Sequence, residues 1–321
     1  MELFLAQPRG FCAGVVRAID IVELALETYP APVYVYHEIV HNHHVVADLK
    51  KKGAVFVEDI NDIPAGGVTI FSAHGVSDTV VDQAKLRELN IVDATCPLVT
   101  KVHLQGRRYS DSGHVVIIVG HAGHQEVIGT LGSIPGECHV VGTVEEVEQL
   151  VVSTPDRIAY VTQTTLSLDD THDVIEALRR RFPAIVGPGL NDICYATQNR
   201  QNAVHDMARR VDLVLVIGSQ SSSNSNRLRD VAEQYGIPAY LIEDASQLDP
   251  AWLQHRPRIG ITSGASAPDH LVQTLIDRLR DIGEHTIHHL DGVEENTVFR
   301  LPKTLLNAQR ISVAQDNTTA E

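Results

Sequence analysis

The chain is poor in cysteine: four in 321 residues, none of them in a C-x-x-C pair. Structural zinc sites usually use cysteines at that spacing, so the pattern does not indicate a zinc knuckle. Few cysteines are also typical of a chain whose thiols stay reduced, and we expect a cytoplasmic protein without structural disulfides. No apolar run reaches the roughly eighteen residues that span a bilayer, and residues 1–14 do not resemble a signal peptide.

Positive charge is also scarce. Lys and Arg total 26 against 41 Asp and Glu, which gives a net charge of −15. This balance argues against a general nucleic-acid or membrane-surface binder, although a locally cationic pocket could still hold a small anion. The G-x-x-x-x-G-K-[ST] motif is missing as well, so a nucleotide P-loop is not indicated. The length suits two or three domains.

Three of the four cysteines stand at the same kind of junction, directly before a helix-like segment. Cys12 precedes "AGVVRAIDIVELALE", which has helical apolar spacing, and Cys194 precedes "YATQNRQNAVHDMARR". Cys96 precedes Pro97, a residue that suits the first turn of a helix. Cys138, in "IPGECHVV", has no counterpart in the other segments, and we predict that it is a packing residue.

The surroundings of these cysteines recur along the chain. A buried-strand pattern follows each one ("APVYVYH", "HVVIIVG", "VDLVLVIG") and leads into a polar loop. His41 lies 29 residues after Cys12, and His124 and Ser222 lie 28 residues after Cys96 and Cys194. A second strand-and-loop set, "VTIFSAHGVSD", "IAYVTQTTLSLDD" and "IGITSGASAPD", places His74, Thr164 and Ser266 at matching positions. The sequence therefore contains three copies of one unit.

Alternating strands and helices predict an α/β fold with mostly parallel sheets, whose ligands collect at the carboxyl ends of the strands. We predict three similar α/β domains in a pseudo-threefold arrangement around a central cavity. Their predicted ranges are 14–96, 97–193 and 194–282, with the N-terminal strand of 1–13 packing on the third. Residues 283–321 lose the pattern, and we predict an extended C-terminal segment.

Three cysteines around one cavity suit an iron–sulfur cluster. Such clusters ordinarily use four cysteines, so a missing fourth implies one iron that is open to substrate. A cysteine at a helix N-terminus also favours the thiolate form. Two readings stay open at this point: a zinc ion bound by three distant cysteines, and a redox-sensing or carrier protein.

The polar loops predict an anion site beside the cysteines. Imidazole, hydroxyl, amide and backbone N–H groups at helix N-termini bind anions well. The candidate residues are His41, His74, His124, Thr164, Ser222, Ser223, Asn224 and Ser266. Glu126 lies two residues after His124. A bound anion and a negative cluster would shift this carboxyl towards its protonated form, which suits a proton donor.

From Met1 to about Leu301 the sequence resembles the LytB/IspH family of 4-hydroxy-3-methylbut-2-enyl diphosphate reductases. The resemblance is carried by "PRGFCAGVVRAI", "EIVHN", "FSAHGVS", "DATCPLVTKVH", "GHAGHQEVIGT", "VTQTTLS", "NDICYATQNRQ", "GSQSSSNSNRL" and "SGASAP". It implies three α/β domains around one 4Fe–4S cluster per chain, with an open apical iron and three ligands, Cys12, Cys96 and Cys194. It also implies diphosphate contacts from His41, His74, Ser222, Ser223, Asn224 and Ser266. His124 and Thr164 would surround the substrate hydroxyl, with Glu126 as the proton source.

The resemblance implies reductive dehydroxylation of the allylic diphosphate to isopentenyl and dimethylallyl diphosphate, the last step of the non-mevalonate isoprenoid pathway. No flavin or nicotinamide fingerprint is visible, so we expect a separate electron donor such as ferredoxin or flavodoxin. We expect neither nucleic acid nor a membrane as a partner. The alternative function is a non-redox iron–sulfur dehydratase that acts on an anionic substrate.

Overall fold

The computed structural model describes residues 1–189 and 192–319, and this part of the chain is built from alternating strands and helices. The strands are β1 (Glu2–Leu5), β2 (Val33–Tyr36), β3 (Ala54–Val57), β4 (Val68–Phe71), β5 (Asn90–Asp93), β6 (Val115–Val119), β7 (Cys138–Val141), β8 (Ile158–Thr162), β9 (Leu213–Ile217), β10 (Ala239–Ile242), β11 (Arg258–Ser263) and β12 (Thr286–His289). The helices are α1 (Ala13–Thr28), α2 (His43–Lys51), α3 (Asp78–Leu86), α4 (Pro97–Asp111), α5 (Gln125–Ser133), α6 (Val144–Gln149), α7 (Leu168–Arg181), α8 (Tyr195–Ala208), α9 (Ser223–Gln234), α10 (Asp269–Ile282) and α11 (Lys303–Thr319). None of these helices is both long and apolar enough to span a membrane.

The strands form three separate sheets. Their orders are β3-β2-β4-β5, β7-β6-β8 and β10-β9-β11-β1-β12. Every pairing between these strands is parallel. The predicted α/β fold with three parallel sheets is therefore confirmed, whereas the domain boundaries at 96/97 and 193/194 stay a prediction.

Helices cover both faces of the largest sheet, which explains its continuous apolar strands. Successive residues of a strand point to opposite faces. On one face, Leu213 and Leu215 pack in a cluster with Leu275 from α10. On the other face, Val214 packs in a cluster with Met207 from α8. Because both faces are buried, β9 has no exposed residue.

The ends of the units differ between the three sheets. β5 pairs with β4 directly before Cys96, and β1 lies between β11 and β12 shortly before Cys12. In the middle sheet the corresponding stretch contributes only an isolated parallel bridge, Ala159 to Val186. This sheet consequently has three strands where the first has four.

The C-terminal segment differs from the extended chain that we predict for 283–321. It contains β12, which pairs with β1, and α11, which packs on the first unit. Ile287 packs against the core of the third sheet, and Leu305 is fully buried among the side chains of the first. β12 has no buried residue, and Leu305 is the only buried one among the described side chains of α11, which gives too weak a periodicity to predict either element. Residues 283–285 and 290–302 lack helix and strand, and residues 320 and 321 lie outside the described part.

Candidate active site

The predicted site residues lie in or directly after loops that run from the carboxyl ends of strands to the N-termini of helices. Loops after β2 and β4 carry His41 and His74, and His124 and Ser222 are the N-cap residues of α5 and α9. Backbone N–H groups at the start of a helix lack helical partners and are satisfied by such caps: His124 Nδ1 accepts from the Glu126 amide at 3.1 Å. The parallel sheets therefore direct these loops to the same side of their units.

All twelve residues that the sequence singles out line a single cavity between the three units. They supply three thiols, three imidazoles, one carboxyl group and several hydroxyl and amide groups. The set consists of Cys12, His41, His74, Cys96, His124, Glu126, Thr164, Cys194, Ser222, Ser223, Asn224 and Ser266. Residues far apart in the chain thus meet at one place, although the role of each stays a prediction.

Each of the three cysteines is an N-cap residue, of α1, α4 and α8 respectively. Each also donates its backbone N–H to a loop that leaves another strand. These bonds are Cys12 N to Ala265 O at 3.2 Å, Cys96 N to Ala73 O at 3.0 Å and Cys194 N to Thr164 O at 3.0 Å. Because Ala265, Ala73 and Thr164 adjoin or belong to the polar loops, the thiols and the anion-binding groups are held in a fixed relation.

The electrostatics of the thiols indicate that they need a positive partner. Burial, together with like-charge repulsion from the neighbouring Cys12 and Cys194, raises the pKa of Cys96 to about 12. All four cysteines are free thiols. Three clustered thiolates would be stable only with a cationic centre between them.

The space beside the thiols fits a bulky inorganic group. A Cβ added at Gly14 would lie 2.8 Å from Cys96 Sγ and 3.8 Å from Cys12 Sγ, so glycine leaves room for these two thiols in the wall. Within the described ranges, no group of three or more His, Cys, Asp or Glu side chains could hold a lone metal ion, but an iron–sulfur cluster is a larger group of several irons and sulfides. Three free thiols that line one cavity are a donor set that suits an iron–sulfur cluster.

The three histidines form a compact cluster in the wall of the cavity. The rings of His41 and His74 stack with centroids 4.0 Å apart, and His124 lies edge-on to both at 5.3 and 6.0 Å. Burial lowers the pKa of His124 to about 4, and burial together with His41 and His124 lowers the pKa of His74 well below its usual value. These adjacent imidazoles suit an anion-binding site, because a bound anion would favour their protonated form and offset the repulsion between them.

Asn224 shows that the cavity has hydrogen-bonding capacity to offer a ligand. Its side chain is buried, and neither its Oδ1 nor its Nδ2 has a hydrogen-bond partner in the described part of the chain. A buried amide without partners costs free energy, so such a group indicates a ligand contact. Nearby, Ser266 Oγ donates to His41 O at 3.0 Å and joins two of the loops.

Glu126 is the buried acid of the cavity, with 3% of its surface exposed. Its Oε1 accepts from Thr164 N at 2.6 Å and its Oε2 accepts from Thr164 Oγ1 at 2.9 Å. Burial raises its pKa to about 7, against the effect of these hydrogen bonds, and the negative charge of Asp192 adds to the rise. A carboxyl with a pKa near neutrality can hold and release a proton at physiological pH.

Sequence reasoning missed several residues of the cavity wall. Thr197 is one: its amide donates to Cys194 Sγ at 3.4 Å, which its position three residues after the N-cap would have indicated. Val15, Val40 and Val99 also line the cavity, and no local signal distinguishes them from ordinary core residues. Cys138, in contrast, packs against an apolar cluster of the middle unit and is not among the residues that line the cavity.

Known sequences and structures resemble this chain over nearly its full length. A family profile described as LytB protein matches residues 3–280. A protein of Zymomonas mobilis subsp. mobilis is 55% identical over 317 residues, 99% of this chain and 93% of the relative. One of Bordetella pertussis is 58% identical over 304 residues, 95% of this chain and 94% of the relative. Both relatives are named 4-hydroxy-3-methylbut-2-enyl diphosphate reductase.

Two solved structures share the fold. The E-1-hydroxy-2-methyl-but-2-enyl-4-diphosphate reductase of Plasmodium falciparum superimposes with a TM-score of 0.93 at 39% identity and covers 98% of this chain and 99% of its own. An (E)-4-hydroxy-3-methyl-but-2-enyl diphosphate reductase, described as the terminal enzyme of the non-mevalonate pathway, gives 0.62 at 31% identity and covers 88% and 100%. With the profile match over most of its length, the chain belongs to the LytB family.

Proposed function

We propose that this chain reduces 4-hydroxy-3-methylbut-2-enyl diphosphate to isopentenyl and dimethylallyl diphosphate, the final step of the non-mevalonate pathway. The relatives at 55–58% identity carry the name of this reductase. The observation that carries the proposal is the single cavity in which three thiols, three imidazoles and a buried acid meet. Such a combination can hold a redox cofactor, an anionic substrate and a transferable proton together.

One 4Fe–4S cluster per chain is the proposed cofactor, with Cys12, Cys96 and Cys194 as its ligands and one iron without a protein ligand. When bound, the cluster supplies single electrons and a Lewis-acidic iron at the substrate hydroxyl. The N-cap position of all three thiols supports this assignment, because a helix N-terminus favours negative charge. The sequence shows no motif that binds a flavin or nicotinamide cofactor, so a small protein such as ferredoxin or flavodoxin is the proposed electron donor. The proposed location is the cytoplasm.

The polar loops that carry the histidines, the serines and Asn224 hold the substrate diphosphate in this proposal. His41 and His74 contribute stacked imidazoles, and the unpartnered amide of Asn224 donates to a phosphate oxygen. Ser222, Ser223 and Ser266 add hydroxyl groups at helix N-termini, where anions are stabilised. Val15, Val40 and Val99 provide an apolar wall for the hydrocarbon part and help to exclude water.

Glu126 is the proposed proton donor. Its pKa of about 7 keeps much of it protonated near neutrality, and its bonds to Thr164 fix the carboxyl group in place. Thr164 Oγ1, at 2.9 Å from Oε2, is positioned to pass that proton to the leaving hydroxyl, and His124 flanks the same region. The C–O bond breaks and the oxygen leaves as water, while two electrons and a second proton complete the reduction of the allyl fragment at one of its two carbons.

Anaerobic turnover tests the proposed function. Purified without oxygen, the protein is expected to contain about four irons and about four sulfides per chain and to consume the hydroxylated diphosphate only when dithionite is present. Consumption without reductant would support the dehydratase instead. One zinc and no sulfide would exclude both enzyme hypotheses.

Binding of inorganic pyrophosphate is expected to take up protons. In the free protein burial and mutual repulsion keep His74 and His124 neutral, and a bound anion raises the pKa of both. Affinity should therefore rise as the pH falls below the pKa that these imidazoles have in the complex, and level off near about 4, the pKa of His124 in the free protein, because the complex binds more protons than the free protein. Calorimetry in two buffers with different ionisation enthalpies measures this uptake directly.

The matched variants for this measurement are His74→Gln and His139→Gln. We expect His74→Gln to weaken pyrophosphate binding roughly tenfold to hundredfold and to reduce the proton uptake. His139 lies on β7 beside Glu137, outside the cavity, so its replacement should change neither quantity. Proton release on binding, or equal uptake in all three proteins, would contradict the role of the histidine cluster.

A further inference from the structure

A cation stands one or two turns after each of the three cysteines, on the same helix. Arg17 lies five residues after Cys12 in α1, and Lys101 lies five residues after Cys96 in α4. Arg200 lies six residues after Cys194 in α8. None of the three is among the residues that line the cavity, so substrate contact does not account for them.

Arg17 connects α1 to the chain that enters Cys96. Its Nη1 donates to Ala94 O at 3.2 Å and to Thr95 O at 3.0 Å, the two residues before that cysteine. Its Nε donates to Arg300 O at 2.8 Å in the C-terminal segment. All three acceptors are neutral carbonyl groups.

Lys101 makes the corresponding connection in the second unit. Its Nζ lies 3.4 Å from Oδ1 of Asp192, a residue two positions before Cys194. The Asp192 side chain is fully buried, whereas that of Lys101 is 48% exposed. A buried carboxylate needs a cation nearby, and Lys101 supplies it from the surface.

Arg200 completes the pattern in the third unit. It is fully buried, and its guanidinium donates to Gly10 O at 2.8 and 3.1 Å and to Phe11 O at 3.4 Å, directly before Cys12. It also forms an ion pair with Glu295 at 3.0 Å. Each cation therefore links the helix that follows one cysteine to the residue two positions before another cysteine. The links run from Cys12 to Cys96, from Cys96 to Cys194 and from Cys194 back to Cys12, and so form a closed ring of contacts.

We propose that Arg17, Lys101 and Arg200 are positioning residues that fix the three cysteines relative to one another and favour the reduced state of the centre bound between them. This inference rests on the proposed function. A cluster held by three thiolates gains negative charge when it accepts an electron, and positive charges nearby stabilise that state. Asp192 and Glu295 offset part of the charge of Lys101 and Arg200. Asp93 offsets part of the charge of Arg17 as well, but Arg17 donates its hydrogen bonds to carbonyl groups rather than to a carboxylate, and it should have the largest effect.

The reduction potential of the anaerobically purified holoprotein tests this proposal, measured by a redox titration followed by EPR. Arg17→Gln should make reduction less favourable by on the order of tenfold, which corresponds to 59 mV for one electron. Arg17→Lys should restore most of that difference, and Lys101→Gln should give a smaller change in the same direction. Arg108→Gln removes an exposed charge from the last turn of α4 and is the control, with no change expected.

The possible outcomes distinguish a failure of this proposal from a failure of the proposed function on which it rests. Turnover of the parent protein with dithionite tests the proposed function, whatever the variants do. If the parent is active, unchanged reduction potentials in Arg17→Gln and Lys101→Gln contradict the proposed role of these cations. A loss of thermal stability without a change in reduction potential contradicts it as well. If Arg17→Gln does not fold, Lys101→Gln decides, because its half-exposed side chain can be replaced without opening the core.

Discussion

A Cys96→Ser variant purified without oxygen is expected to contain almost no iron or sulfide and to have no measurable turnover. Serine is a poor ligand for iron in place of thiolate, and two remaining thiols are too few to hold the proposed cluster, for which we assign three protein ligands. Cys12→Ser and Cys194→Ser should behave in the same way, because the three residues occupy equivalent N-cap positions. Iron and sulfide analysis, with the visible absorption of the cluster, measures the loss.

Cys138→Ser is the matched control for these variants. Cys138 is also a partly buried thiol, and burial raises its pKa to about 12, but it packs within the middle unit. Its replacement should leave the iron and sulfide content and the turnover unchanged. Loss of iron from Cys138→Ser, or full iron content in any of the three cavity variants, would show that the ligand assignment is wrong.

Glu126→Gln is expected to lower turnover by roughly 10²–10⁴-fold, the range typical for removal of a general acid. Glutamine has nearly the same shape and can still accept the hydrogen bond from Thr164 N, but it cannot donate a proton from a carboxyl group. The variant should therefore keep the cluster content and the pyrophosphate affinity of the parent. Steady-state kinetics with dithionite, beside iron analysis and calorimetry, separates these quantities.

The pH dependence gives a second measure of the same assignment. An acid must be protonated to donate, and the pKa of Glu126 is raised to about 7, so kcat/KM of the parent should fall above that pH. In Glu126→Gln this alkaline limb should disappear from the residual rate. Glu148→Gln, an exposed replacement of the same kind on α6, should retain both the rate and the limb. Unimpaired turnover of Glu126→Gln would remove Glu126 from the mechanism.

The repeated pattern made much of this protein predictable from its sequence. Continuous apolar strands predict parallel sheets covered on both faces, and cysteine before a helical period predicts the N-cap positions of Cys12, Cys96 and Cys194. Strand ends in an α/β fold point their loops to one side, which is why His41, His74 and His124 could be grouped before any contact was known. These inferences succeeded because they depend on local periodicity and on one rule of topology.

Other features have no local signal. Leu305 and Ile287 belong to short apolar stretches in a polar segment, and their burial depends on cores built by distant parts of the chain. Asn224 looks like any residue of a serine-rich loop until its buried, unpartnered amide is seen. The links from Arg17, Lys101 and Arg200 join residues up to 190 positions apart.

The sequence by itself determined the fold class, the threefold repetition and the residue types of the site, because periodicity and capping act over a few neighbouring residues. Only the tertiary structure decided how these residues meet: the raised pKa of Glu126, the stacking of His41 on His74 and the links from Arg17, Lys101 and Arg200 to the chain before each cysteine. Burial and Coulomb interactions depend on distance in space, which separation along the chain does not reveal.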